Sequence, residues 1–285
     1  MNAKRLIATL LLALPMLGNA QELKDFEGEF ISESLTNQNP ERKKFDTGML
    51  YNGRVVTHIL AKGDNVDSYD TRLKMHTMFL VDTNRYILWS EELKKGVEIP
   101  ITTYVAGQKA LLAAAAKLAP VEQNWNVESL GKEDINGITC EHLKKTLTMT
   151  ANQVSSTSIQ EEWISDVYRN PMKKFLESIG TSKQSDGFAL KLKFDTHIKS
   201  SSAFVKSRYS YNHTVVKEIM PRAVADNEFD IPSDCKIQVF DDFLKFNKAF
   251  MALGRANAKL LMKQGKHPTQ MEDNVIYETD DRWDD

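Results

Sequence analysis

The sequence predicts an α+β protein built on a large antiparallel sheet, with a few helices and one long C-terminal helix. Three observations carry that expectation. A long hairpin is written between Leu130 and Pro171, turning at Asn136-Gly137, where both residues tolerate positive φ. Two runs, Met75 to Val81 and Tyr86 to Trp89, flank the loop Asp82-Thr83-Asn84-Arg85 and are apolar on both faces, so they need cover on both sides. Two stretches, Ile101 to Ala119 and Phe240 to Lys263, have helical composition or spacing.

The chain opens with Lys4-Arg5, a short apolar run from Leu6 to Leu14, then Pro15 and Gly18-Asn19-Ala20. This is the pattern of a secretory signal peptide, too short to span about 30 Å of hydrocarbon. The expected cut follows Ala20, and the mature chain starts at Gln21 in a periplasm or outside the cell. No later stretch reads as a transmembrane segment. The full chain has formal charge −2, made more acidic by loss of Lys4 and Arg5, so nucleic acid is not an expected partner. Cys140 and Cys235 are the two cysteines, and export favours a disulfide between them, worth roughly 4–5 kcal/mol for a long loop in the chain-entropy model.

Phe26 to Leu35 and Arg54 to Leu60 read as strands, with a turn at Lys62-Gly63-Asp64-Asn65. Val66 to Leu73 reads as an edge or irregular strand. The stretch Ile101 to Ala119 holds four consecutive alanines, ends at Pro120 and has charges only at Lys109 and Lys117. A helix so apolar all round is expected to be buried, as a core helix or a removable plug over an apolar cavity.

Within the hairpin, the apolar phase changes near His142, which predicts a bulge or two strands in series. Asn152 to Ser158 is its loop, and Asn170-Pro171 opens a short amphipathic helix ending at Gly180. Phe188, Leu190, Leu192, Phe194 and Ile198 then alternate with Lys191, Lys193, Asp195 and His197. Strands follow at Ala203–Tyr211 and Thr214–Met220. In Phe240–Lys263, Phe243, Phe246, Phe250, Leu253 and Leu260 recur at three- and four-residue steps, a stripe that packs on the domain or binds a partner.

The six histidines are scattered without metal-ligand spacing, and no nucleophile elbow or phosphate loop appears. No cofactor or metal is implied. His76, His142 and His197 are expected at the surface or rim. Glu161 and Glu162 are adjacent on a strand and so point to opposite faces, unable to act on one bond; they read as solvated charges.

Several segments together resemble a family. They are Phe79 to Leu88, Asn136-Gly137-Ile138-Thr139-Cys140, Glu162-Trp163-Ile164-Ser165-Asp166, Phe188-Ala189-Leu190 and Phe229-Asp230-Ile231-Pro232. Their order resembles the domain-of-unknown-function family 4412 (DUF4412) of exported Gram-negative proteins, similar to the periplasmic lipoprotein carriers LolA and LolB. That resemblance implies a strongly curved antiparallel half-barrel, with helices across its concave side. The resemblance spans roughly Phe26 to Cys235, and the C-terminal helix and acidic tail lie outside it; with the residue patterns above it gives residues 1–20 (signal peptide), 21–238 (half-barrel), 239–266 (amphipathic helix) and 267–285 (acidic tail).

The expected function is non-enzymatic binding of a lipid or acylated protein in an apolar cavity of a cell-envelope protein. The cavity candidates are Phe79, Val81, Tyr86, Leu88, Leu111, Leu112, Leu190, Leu192 and Phe194. The alternative is a protein-interaction module docking an envelope partner through its C-terminal helix or tail.

Overall fold

In a computed structural model the described residues are 22–37, 52–118, 122–151, 154–179, 185–200 and 208–265. Two antiparallel meanders meet at one seam. Strands β1 (Glu27–Asn37), β2 (Asn52–Lys62), β3 (Asn65–Asp70), β4 (Met75–Leu80), β5 (Arg85–Ser90) and β6 (Lys95–Pro100) run outward in one direction. Helix α1 (Ile101–Leu118) leads to β7 (Glu122–Ile135) at the opposite edge. From there β8 (Ile138–Ala151), β9 (Val154–Arg169), helix α2 (Lys173–Ser178), β10 (Gly187–Ser200) and β11 (Arg208–Pro221) return. Strand β11 pairs with β1, and β12 (Lys236–Val239) adds parallel to β6 before helix α3 (Phe243–Lys263). The 12-stranded order is β12-β6-β5-β4-β3-β2-β1-β11-β10-β9-β8-β7.

The sheet is mixed and open, with β12 and β7 as its two edges, and it is not strongly curved. The expected half-barrel is therefore corrected. Curling requires strand tilt and stagger that apolar alternation does not encode. Alternation says which side of a strand packs, not how the strands bend around an axis.

Strands β3 to β6 repeat every ten residues, each six residues long, with four-residue turns between them. Each turn ends on a residue with positive φ: Lys74 at 53°, Asn84 at 57° and Lys94 at 50°. Lysine is a poor sequence signal for that conformation, so β6 and the period were not foreseen. Strand β3 lies inside the sheet, between β2 and β4, not at an edge. Strand β9 starts at Val154, well inside the expected loop, and β11 runs unbroken across the expected gap near Asn212. The bulge is real but sits on β7, where the register slips between Ser129 and Gly131, opposite Leu143 and His142.

The doubly apolar strands do have cover on both sides. On one face Tyr86, Leu88, Val97 and Ile99 pack against Phe243, Phe246, Leu253 and Leu261 of α3. On the other, Met78, Leu80, Ile87 and Trp89 pack against Val224 and Phe229, in the segment before β12. A third cluster at the seam joins Phe26 and Phe30 to Trp163, Leu190 and Val216.

Helix α3 begins at Asp242, whose carboxylate accepts from the Lys245 N–H at 2.8 Å, an N-cap. Its buried stripe is interrupted by Asn257, fully buried, which accepts from Ser90 Oγ at 2.6 Å and donates to the Leu73 carbonyl at 2.7 Å. One side chain thus ties the helix to two turns of the meander.

Helix α1 departs from expectation. Its first half packs, with Ile101 and Tyr104 on the α3 cluster. At Gly107 an added Cβ would lie 2.1 Å from the Phe243 ring, so only glycine permits that approach. Residues 110–114 beyond it are exposed, with Leu111 at 53% and Leu112 at 51%. Alanine secures a helix by propensity alone and demands no burial.

The signal-peptide residues, the loop near Pro40, Gly180, His267-Pro268 and the acidic tail all lie outside the described residues.

Candidate functional site

The site is an open cleft between α3 and the β6–β12 edge, about 600 Å³ in volume. Its helix wall is Ala249, Ala252, Leu253 and Ala256, residues three or four apart and hence on one face. Its sheet wall is Leu93, Gly96, Val97 and Ile237, with Lys95, Lys236 and Gln238.

The cleft exists because α3 is held on the sheet by its large residues and left thin by its small ones. Phe243 and Phe246 anchor one end in the core, and Asn257 and Leu261 anchor the other. Between them the alanines leave space that longer side chains would fill. On the sheet face away from α3, a Cβ at Gly96 would meet Ile237 Cδ1 at 2.5 Å and Trp89 Cβ at 2.6 Å, so glycine lets β12 and β5 side chains close over β6 there.

The expected cavity residues do not gather here. Tyr86 and Leu88 are buried beneath α3, and Phe79 packs on Tyr86 with stacked rings 4.6 Å apart and on Phe175 of α2 at 4.2 Å. Val81 is half-buried in the β4–β5 turn. Leu190 is sealed in the seam cluster, Leu192 is half-buried further along β10, and Phe194 is 39% exposed. Leu111 and Leu112 face solvent. These side chains belong to separate environments, and the first group is filled core. The alanine spacing in α3, at Ala249, Ala252 and Ala256, is the part of this cleft that the sequence carries.

The two cysteines are free thiols. Cys140 lies on β8, next to one edge of the sheet, and Cys235 precedes β12 at the other edge, far outside the ~7 Å Cα separation that a disulfide tolerates. Burial pushes the Cys140 thiol up to about 11, and burial also raises that of Cys235.

Polar chemistry is concentrated in two histidine–tryptophan pairs. His76 and Trp89 are cross-strand partners whose rings stack at 4.1 Å. His76 Nδ1 lies 2.8 Å from Asp67 and its Nε2 lies 3.6 Å from Glu91. The Tyr69 hydroxyl, pushed up to about 12 by burial and by its bond to Glu91, closes this cluster.

His142 and Trp163 repeat the arrangement on β8 and β9, stacked at 4.0 Å. His142 Nδ1 meets Glu133 at 2.9 Å, and its Nε2 meets Glu161 at 3.1 Å. Trp163 Nε1 donates to Glu133 at 2.6 Å, and that bond, helped by His142 and working against burial, holds the Glu133 carboxyl below its ordinary range. Lys191 Nζ sits 4.0 Å from the Trp163 ring centroid.

His142 is thus buried, not at the rim. Glu161 and Glu162 do point to opposite faces, but neither is merely solvated: Glu161 holds His142, and Glu162, also buried, accepts from Lys145 at 2.6 Å. Both nitrogens of His142 and both oxygens of Glu133 are engaged within the cluster.

Among the described residues, no group of three or more His, Cys, Asp or Glu is placed to hold a metal ion, and no helix is long and apolar enough to cross a membrane. No family model matches the chain, and no curated protein matches it. The resemblance to family 4412 and to the lipoprotein carriers is therefore corrected along with the half-barrel. What stands is the class: a mixed α+β protein, with a 12-stranded sheet and few helices among the described residues.

Proposed function

We propose that this is an exported protein that binds an apolar ligand, without catalysis, in the cleft between α3 and the β6–β12 edge. The observation that carries the reading is the cleft itself: about 600 Å³, open, and walled on its helix side by three alanines and Leu253. A ligand site of that kind needs area and shape more than reactive groups, and volumes of roughly 300–1,000 Å³ are usual for small-molecule sites. The signal-like residues 1–20 support export.

Lipid extraction and mass spectrometry of protein recovered from its native compartment test the binding. The expected result is a co-purifying lipid in the wild type, with N-terminal sequencing starting at Gln21. An Ala252→Trp variant fills the cleft from an exposed position, so it folds normally and comes away empty. Equal lipid in both proteins places the ligand elsewhere and defeats the proposal.

A further inference from the structure

Resting on the apolar-cleft reading, we infer that the ligand is a single-chain amphiphile with an anionic head group, namely a long-chain carboxylate, held by Lys95 and Lys236. The two lysines are directly opposite one another in the parallel pairing of β6 with β12. Side chains alternate along a strand, so Lys95 shares the face of Val97, which packs in the α3 cluster. Both lysines are exposed and both line the cleft.

Like charges directly opposite on neighbouring strands repel. Elsewhere in the meander the cations have counterions. Lys62 pairs with Asp226 at 2.7 Å, Lys74 with Glu92 at 3.0 Å, Arg85 with Glu98 at 2.8 Å and Lys94 with Asp234 at 3.4 Å. Among the described residues neither Lys95 nor Lys236 makes an ion pair. The result is two adjacent, uncompensated positive charges beside an apolar cleft.

A carboxylate between the two ammonium groups relieves their repulsion and accepts from both, a charge-assisted arrangement. Its chain then lies along Val97 and the alanine face. Ala249 to Ala256 covers two turns of α3, about 10 Å of wall at 1.5 Å rise per residue. A neutral ligand of equal length gains the apolar contact and leaves the lysines as they were. A cationic one adds a third positive charge.

The test compares three ligands of one chain length, below their micelle concentrations, on the full mature chain: tetradecanoate, tetradecanol and tetradecyltrimethylammonium. The expected order is tetradecanoate at least tenfold tighter than tetradecanol, with the cation weakest and the tetradecanoate affinity falling with salt. The Lys95→Gln, Lys236→Gln double variant, altered only at exposed positions, brings tetradecanoate down to the tetradecanol level and leaves tetradecanol unchanged.

Equal binding of all three ligands, insensitive to the lysine changes, overturns the head-group inference while sparing the apolar cleft. No binding of any of them defeats the cleft reading itself. A third arm addresses the acidic tail, five of whose last eight residues are Asp or Glu. Neutralising Asp280, Asp281, Asp284 and Asp285 to Asn in the full chain is expected to leave tetradecanoate affinity unchanged. A tenfold gain there makes the tail the occupant of the lysines and overturns the proposal.

Discussion

At one end of the sheet, β4, β5 and β6 lie between two apolar layers, α3 on one face and the Val224–Phe229 segment on the other. At the other end, β8, β9 and β10 add to their backbone ladders and the seam cluster a set of polar cross-strand contacts: His142 with Glu133 and Glu161, Lys145 with Glu162, and Lys191 over Trp163. Both ends contain a histidine stacked on a tryptophan and flanked by two acids. The same local motif therefore sits in two different settings. Where helix and loop supply cover, strands can be apolar on both faces. Where they do not, charged side chains satisfy each other across the strands, and apolar residues such as Phe194 are left at the surface.

That contrast can be broken from the apolar end with the largest effect. Phe246 is fully buried at the centre of the α3 contact. Phe246→Ala should cost about 3–5 kcal/mol, read from the midpoint of denaturant unfolding. A loss under 1 kcal/mol would mean that α3 adds little to that end.

The polar end should give a smaller but sharper result. Lys145→Met strands the buried Glu162 carboxylate, and removing one partner of a buried pair costs up to about 3–5 kcal/mol. With both side chains slightly exposed, the expectation lies just below that range, about 2–3 kcal/mol. Lys145→Met combined with Glu162→Leu should recover most of the loss, because an apolar pair can replace a buried ion pair. No recovery in the double variant would show that Glu162 is held mainly by Gln160 and Ser185, its other donors.

Acid should loosen the cover segment of the apolar end. Arg222, with the Ala225 N–H, holds the Glu228 carboxyl down at about 2 from its ordinary 4.5. A depressed carboxyl contributes stability above its unfolded value, and that stability drains away as pH falls from about 4.5 through about 2. Because Glu228 is on the surface, the effect is modest. A Glu228→Gln variant should flatten this part of the stability–pH curve, and an identical curve in both proteins would remove Glu228 from the account.

The smallest effect belongs to the exposed residues 110–114 of α1. Leu111→Ser lies where nothing packs, so the change should stay within about 0.5 kcal/mol. A larger loss would indicate that Leu111 is covered in solution.

Strand content was largely legible, and so was the α3 stripe, because periods of 2.0 and 3.6 are local properties of the chain. The two-sided cover of β4 and β5 was legible for the same reason. Harder to see were β6 and the ten-residue meander, whose turns put Lys74 and Lys94 at positive φ without a glycine to announce it. The cleft was missed because its walls come from strands near residue 96 and a helix near residue 252, and only their packing shows which small residues face each other.

By itself, the sequence determined most of the strands and the helices, the α+β class and the opposed faces of Glu161 and Glu162, all set by neighbours within a few residues. Tertiary structure alone decided the open sheet, the separation of Cys140 from Cys235, the exposure of Leu111 and Leu112 and the pairing of Lys95 with Lys236. Each of these depends on strand order, which is fixed by contacts between residues distant in the chain and leaves no periodic trace in any single stretch.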